Sequence, residues 1–325
     1  MNKQISLSAL SDELAQVRTK KKEFLSRMER IVPWGEWLKL IEPYYYKGER
    51  GNKPYELERM LRIYLLQNLY NLADEATVAE VIDSRAFSDF CSVESSNQVP
   101  DGDTLGRFRN LLIKNGLQEK LFTQVLSLLT ERGLILKKGT IVDSTIIAAP
   151  SSTKNVEKQR DPDAHQTKKG NMWHFGYKAH IGVDKDSGLV HTVEVTAANV
   201  HDVTMTSKLL TGEETVVYGD SGYLGADKRE EAITKNKSGK RIQYKLNCRP
   251  SRIRKGSARS QGQCKRREHE KSSIRAKVEH VFGVVKGRLL YRKTRYRGLK
   301  KQMAKLNIMF ALANLILADR PCLTA

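Results

Sequence analysis

The sequence predicts an α+β protein: an N-terminal helical bundle, a mixed α/β domain, and a C-terminal helical tail. Three observations carry this. Through about residue 130, apolar residues recur at spacings of three and four. At Gly133 the period changes to the alternation and β-branched density of strands. Near residue 275 helical spacing returns. A chain of 325 residues is long enough for more than one core, and the expected divisions are 1–132, 133–290 and 291–325.

Charge narrows the partner. The chain carries 57 Lys and Arg against 37 Asp and Glu, a formal net charge of +20 at pH 7. Such a field selects a polyanion, nucleic acid first, and no small-molecule substrate is expected. The four cysteines (Cys91, Cys248, Cys264, Cys322) are widely spaced with no CxxC pair, which argues against a disulfide framework and fits a reducing cytosol. Cys248, Cys264 and His269 match no common zinc spacing. No signal-peptide core opens the sequence, and no run of about 18 apolar residues occurs, so a cytoplasmic protein without a membrane span is expected.

Residues 1–20 are polar and expected to be loosely held. From Lys20 to about Tyr46, Phe24, Met28, Ile31, Trp34, Trp37, Leu38 and Ile41 keep helical spacing, broken at Pro33 and Pro43. A basic, glycine-rich turn at 48–55 leads into an amphipathic helix over 57–70. Further helices are expected over about 75–82 and 85–91, over 105–112 behind an N-cap at Asp103-Thr104, and over 117–131. A helix-turn-helix DNA reader and a purely structural bundle fit this segment about equally.

Residues 134–147 read as a strand pair or one long strand, densely β-branched around Asp143. A polar loop follows over 150–170. Residues 174–184 and 189–196 alternate on either side of a turn, a β-hairpin. A helix over 201–210, a short apolar strand over 215–218, a helix over 228–234 and a last strand over 241–246 complete the domain. Residues 249–267 hold no acid, and Arg249, Arg252, Arg254, Lys255, Arg266 and Arg267 stand among Gly and Ser. That segment, within a basic loop spanning 247–268, is expected to order only on phosphates. Residues 303–317 are strongly apolar and should pack as a core helix.

The chemistry concentrates in carboxylates. On a helical wheel Glu279 lies about 40° and Lys286 about 20° from Arg275, so base, acid and base share one edge. Ile274, Val278, Val281, Phe282 and Val285 form the adjoining apolar stripe. An amphipathic helix with surface ion pairs has the same pattern. Two apolar strands, however, end in an acid, at Asp143 and Asp220, where open sheets place functional groups. Three converging carboxylates repel unless a divalent cation holds them, and oxygen ligands without a Cys/His cluster favour Mg²⁺ or Mn²⁺. Two such ions roughly 4 Å apart suit phosphodiester displacement.

Other polar residues have plainer readings. Asp184 belongs to ordinary turn chemistry and Asp202 reads as a helix cap. Trp173 is suited to stacking on a displaced base, although a packed hairpin aromatic is the commoner arrangement. Lys168, Lys169 and Lys178 are candidate backbone contacts. His180 and His191 on facing strands suggest a packing pair more than a metal pair.

The order strand, hairpin, helix, strand, helix, strand, helix resembles a ribonuclease-H-like domain. More specifically, four segments resemble a DDE transposase of the insertion-sequence-5 group, within the insertion-sequence-4-type families. They are Gly139-Thr-Ile-Val-Asp143-Ser-Thr-Ile-Ile-Ala-Ala-Pro-Ser-Ser-Thr, the stretch from Gln166 through Trp173-His-Phe-Gly-Tyr-Lys-Ala-His to Asp184, Gly219-Asp220-Ser-Gly-Tyr-Leu-Gly225, and residues 275–286. The helical half matches through Lys53-Pro-Tyr, Met60-Leu-Arg-Ile-Tyr-Leu-Leu-Gln and Val99-Pro-Asp-Gly-Asp-Thr-Leu-Gly-Arg-Phe-Arg109. The resemblance covers nearly the whole chain.

It implies that Asp143, Asp220 and Glu279 are the catalytic, metal-binding triad, holding two Mg²⁺ ions, with Mn²⁺ as a substitute. The family signature Tyr-x2-Arg-x3-Glu-x6-Lys is met by Arg275, Glu279 and Lys286, with Ser272 at the Tyr position. It further implies a bacterial, nucleoid-associated enzyme that binds double-stranded DNA, both element ends and target, as a homodimer. A nuclease of this fold that does not join strands, and a non-catalytic DNA-binding regulator, are the alternative readings.

Overall fold

The computed structural model describes residues 19–48, 53–154, 156, 158–249, 251 and 258–319. The turn at 49–52 and the cations Arg252, Arg254 and Lys255 lie outside the described residues. The first part is helical: α1 (Lys20–Ile31), α2 (Trp34–Ile41), α3 (Leu57–Leu69), α4 (Asp74–Asp83), α5 (Arg85–Phe90), α6 (Gly102–Lys114) and α7 (Leu117–Glu131). The Thr19 hydroxyl caps α1 by accepting from the Lys22 N–H at 3.2 Å. Asp101 caps α6, its Oδ1 accepting from the Thr104 N–H at 2.7 Å. The cap therefore lies two residues before the expected Asp103, because Gly102 already starts the helix. Between α6 and α7, Gly116 takes φ +62°, a left-handed value that lets the chain reverse at once.

The sheet contains β1 (Gly139–Ala148), β2 (His165–Lys169), β3 (Met172–Asp184), β4 (Val190–Ala197), β5 (Val216–Gly219) and β6 (Gln243–Leu246). β1 pairs antiparallel with β3 and parallel with β5, β5 pairs parallel with β6, and β3 also pairs antiparallel with β2 and β4. The antiparallel trio β1, β3 and β4, with two parallel strands added beside β1, is the arrangement of a ribonuclease-H-like domain, as expected, and β2 is an addition to it along the start of β3. Alternation along β1 splits the core. Ile141 joins the large apolar cluster on one face, while Val142 joins a smaller one with Leu209, Val217 and Tyr223 on the other.

Several local expectations are corrected. Residues 134–138 are not strand: Lys137 takes φ +54°, and the Leu136 and Lys137 N–H groups donate to Asp184 Oδ2 rather than to a neighbouring strand. Residues 201–210 form two 3-10 turns, Asp202–Met205 and Ser207–Leu209. There the hydroxyls of Thr204 and Thr206 donate to the carbonyls of His201 and Val203, competing with a helical ladder. Of 228–234 only Lys228 is helical, closing a 3-10 turn at Ala226–Lys228, since a lone Ile233 gives that segment no apolar stripe. The polar loop after β1 contains β2. Much of the supposed basic loop is the start of helix α8 (Ala258–Gly283), rich in helix-forming Arg, Lys, Gln and Glu.

α9 (Leu299–Ala318) is buried on almost every side, between the bundle and the sheet. One apolar cluster runs continuously from Phe24 through the bundle and α9 to Ile141, Ile181 and Val281. Two buried polar side chains of α9, Gln302 and Asn314, are hydrogen-bonded. The Asn314 side chain accepts from the Val190 N–H at 2.9 Å and donates to its carbonyl at 2.7 Å, behaving as one more strand residue beside β4. No described helix is long and apolar enough to cross a membrane.

Candidate metal and nucleic-acid site

Register brings the first two acids together. In the parallel β1–β5 pair the last partners are Ile141 and Tyr218. Asp143 and Asp220 each lie two residues further on, so both emerge at the same level of neighbouring strands. Asp220 ends β5 and caps the 3-10 turn Ser221–Tyr223, its Oδ1 accepting from the Gly222 N–H at 2.8 Å. Asp143 Oδ1 accepts from the Ser144 N–H at 2.7 Å, and its side chain is 22% exposed. Burial pushes the Asp143 carboxyl up to about 6; Asp220 adds to the rise, while the Ser144 N–H and the Arg275 guanidinium oppose it.

α8 packs on this face and delivers Arg275. Its Nη2 lies 3.5 Å from Asp143 Oδ2 and its Nη1 donates to Asn247 Oδ1 at 2.9 Å. The Nε is buried without a hydrogen-bond partner. Arg275 therefore acts as the counter-ion of Asp143 in this conformation. Glu279, one turn on, is exposed. Among the described residues no three His, Cys, Asp or Glu side chains are gathered as a metal cage, so Glu279 does not close a set with Asp143 and Asp220 here. Ser272, at the signature Tyr position, receives a 3.3 Å hydrogen bond from Asn247 Nδ2.

The helical wheel fails beyond Gly283, where Val284–Arg288 form a π-turn. Lys286 therefore leaves the edge expected of a continuous α-helix. Its ammonium donates to the Ile146 carbonyl at 2.7 Å, and burial lowers its pKa, with Lys169 and Arg292 adding. Lys169, Lys286 and Arg292 thus make a basic spot beside the far end of β1.

The other cations divide. Lys168 and Lys169 are exposed on β2, with Gly170 at φ +59° turning that strand into β3. Trp173, opposite Lys168, is 68% exposed, and Met172 is 67% exposed. The commoner reading of Trp173 as a packed aromatic is therefore corrected: the hairpin tip offers it no core to enter. Lys178 is an internal tie rather than a free surface cation. Its side chain is 12% exposed, pairs with Asp202 at 3.1 Å and donates to the Val200 carbonyl at 2.7 Å. Arg249 is exposed just after β6, and Arg266 and Arg267 are exposed on α8.

The two histidines do not form a cross-strand pair. His180 faces Glu194 and bonds the Thr196 hydroxyl, while His191 lies beside a bulge and bonds Thr140 and Thr192. Burial pushes both down to about 4. Asp184 has the expected turn role: burial opposes its ionisation, but four backbone N–H groups outweigh that and hold its pKa below the ordinary range. Asp202 is not a cap as expected: His201 holds the cap position, and the Asp202 side chain binds Ser144 and Lys178 instead. The sequence reading missed Asn247, which anchors Arg275 from 28 residues away, and no spacing rule would have found it.

The chemistry of the donor set fits a hard divalent cation. A buried carboxylate next to a second acid is costly to ionise, and a cation at that point would relieve both desolvation and repulsion. Residues 135–315 match the family model described as Transposase DDE domain, and residues 12–111 match the model described as Transposase domain (DUF772). No solved structure matches the chain.

Proposed function

The chain belongs to the transposase DDE domain family, and we propose that it is an insertion-sequence transposase of the insertion-sequence-5 group that cuts and joins DNA at Asp143, Asp220 and Glu279. The observation that supports this most is the level placement of the two acids: Asp143 stands midway along β1, not at its end as expected, just past the β5 pairing and level with Asp220 at the end of β5, and it is desolvated with its ionised form opposed. Two Mg²⁺ ions, or Mn²⁺ in their place, would activate the attacking oxygen and stabilise the leaving one. Asp143 and Asp220 would hold them from the sheet. Glu279 joins from α8 when DNA binds, and Arg275 gives up Asp143 for a phosphate in the same step.

The charge of the chain draws in duplex DNA, element ends first and target second. Lys168, Lys169 and Lys286 contact its backbone, as do Arg249, Arg252, Arg254, Lys255, Arg266 and Arg267 around the start of α8. Trp173 stacks on an unpaired base at the cut end. Residues 1–132 recognise the ends and pair two protomers into a homodimer on DNA, 133–290 carry the chemistry, and 291–325 tie the two together. The setting is the bacterial cytoplasm, at the nucleoid. Incubation with Mg²⁺, end-sequence oligonucleotides and a supercoiled target tests the proposal. Cleaved and joined products support it; cleavage alone would reduce the protein to a nuclease, and binding without scission to a regulator.

A further inference from the structure

On the face of β1 opposite Asp143, a third acid braces the site. Asp202 Oδ1 accepts from the Ser144 hydroxyl at 2.8 Å and pairs with the Lys178 ammonium at 3.1 Å. His180, with a fully buried side chain, sets its Nδ1 3.7 Å from the same oxygen. The His180 Nε2 bonds the Thr196 hydroxyl at 2.8 Å, and its Nδ1 has no hydrogen-bond partner. One carboxylate oxygen is thus fixed by β1 and β3 together.

The place matters because β1 is poorly supported where Asp143 sits. Past Ile141 the β5 pairing has ended, and Asp143, Ser144 and Thr145 are paired only with Ile181, His180 and Ala179 of β3. The 3-10 turn that starts at Asp202 packs against the turn Ser221–Tyr223, which Asp220 caps. Tyr223, the last residue of that second turn, is buried in one cluster with Val142 and Leu209. Its hydroxyl is buried with no hydrogen bond of good geometry.

We propose that Asp202 is a positioning residue which, through Ser144 and the Asp220 turn, sets the separation of Asp143 and Asp220 and so the affinity of that pair for a divalent cation. This rests on the metal reading given under the proposed function. It also accounts for Lys178, whose charge lets an acid stand there without repelling the pair it supports. Outer partners of metal-binding carboxylates characteristically change metal affinity by roughly 10- to 100-fold when removed.

Direct Mn²⁺ binding to the full chain without DNA, read by electron paramagnetic resonance of the free ion, tests this. Ser144→Ala and Asp202→Ala should each weaken binding roughly 10- to 100-fold. The double variant should be no worse than the weaker single, because both act through one contact. Asp202→Asn, which keeps an acceptor for Ser144, should recover most of the affinity. Ser144→Ala leaves the Lys178 pair intact and carries the test if Asp202→Ala does not fold. Wild-type affinity in Ser144→Ala, or losses that multiply in the double variant, would overturn the inference. A wild-type chain that binds no Mn²⁺ would instead overturn the metal reading beneath it.

Discussion

Replacing Asp143 by Asn removes a charge from a dehydrated place and keeps the shape. The carboxyl is raised from 3.8 to about 6, mainly by burial, and a gap of about two on the pH scale corresponds to about 3 kcal/mol of folding free energy above both values. The sign follows from proton binding. Between these pH values the folded chain holds a proton that the unfolded chain has released. The favourable contribution is therefore complete below 3.8 and lost as pH rises through about 6. At pH 7.5 without metal, Asp143→Asn should stabilise the protein. The raised value already includes the opposing Arg275 contact at 3.5 Å, so the gain should be about 3 kcal/mol, seen as a rise of several degrees in Tm. Thermal unfolding in chelator at pH 7.5 and 4.5 measures it, with the gain shrinking at the lower pH. Saturating Mn²⁺ should reverse the order, since an ion at about a thousand times its Kd stabilises the wild type by about 4.1 kcal/mol. A variant less stable than wild type at pH 7.5 in chelator, by the same amount at pH 4.5, would refute the reasoning.

Other perturbations probe different parts of the molecule. Burial lowers Lys305 to about 7, with Arg295 and Arg109 adding, so the folded chain binds fewer protons than the unfolded one between there and 10.5. Wild-type stability should rise from pH 7 to 9, and Lys305→Met should flatten that rise in urea titrations. Asp74→Ala strands the Arg109 guanidinium, whose Nη1 lies 2.5 Å from that carboxylate, and should cost about 3 kcal/mol in the same assay. Trp173→Ala should leave stability within about 0.5 kcal/mol, yet weaken binding to a frayed DNA end by about 5- to 150-fold in fluorescence anisotropy.

How far the sequence discloses this molecule depends on the range of the interaction. The β-branched run around Asp143 and the apolar stretch Val216-Val217-Tyr218 are visible because buried strands need such residues, whatever the rest of the chain does. The register that puts Ile141 opposite Tyr218 is not visible, since it depends on pairing across many intervening residues. Asp202 illustrates the same limit. Next to His201 it looks like a cap, and only the fold shows that Ser144, 58 residues away, is its partner. The apolar character of α9 is plain in composition, but not that Asn314 would serve as a strand residue for β4. The π-turn at Val284–Arg288 leaves no mark on the pattern either, and it displaced Lys286 from the wheel that located Glu279.

The central claim is that separate carboxylates meet on metal to break DNA, with Glu279 completing the pair already formed by Asp143 and Asp220. Cleavage of duplex oligonucleotides bearing the element's end sequences, in Mg²⁺ and followed for wild type and Glu279→Gln at equal DNA occupancy, tests it most directly. The account predicts nicked product from wild type and none from the variant. Equal cleavage by the two would contradict it.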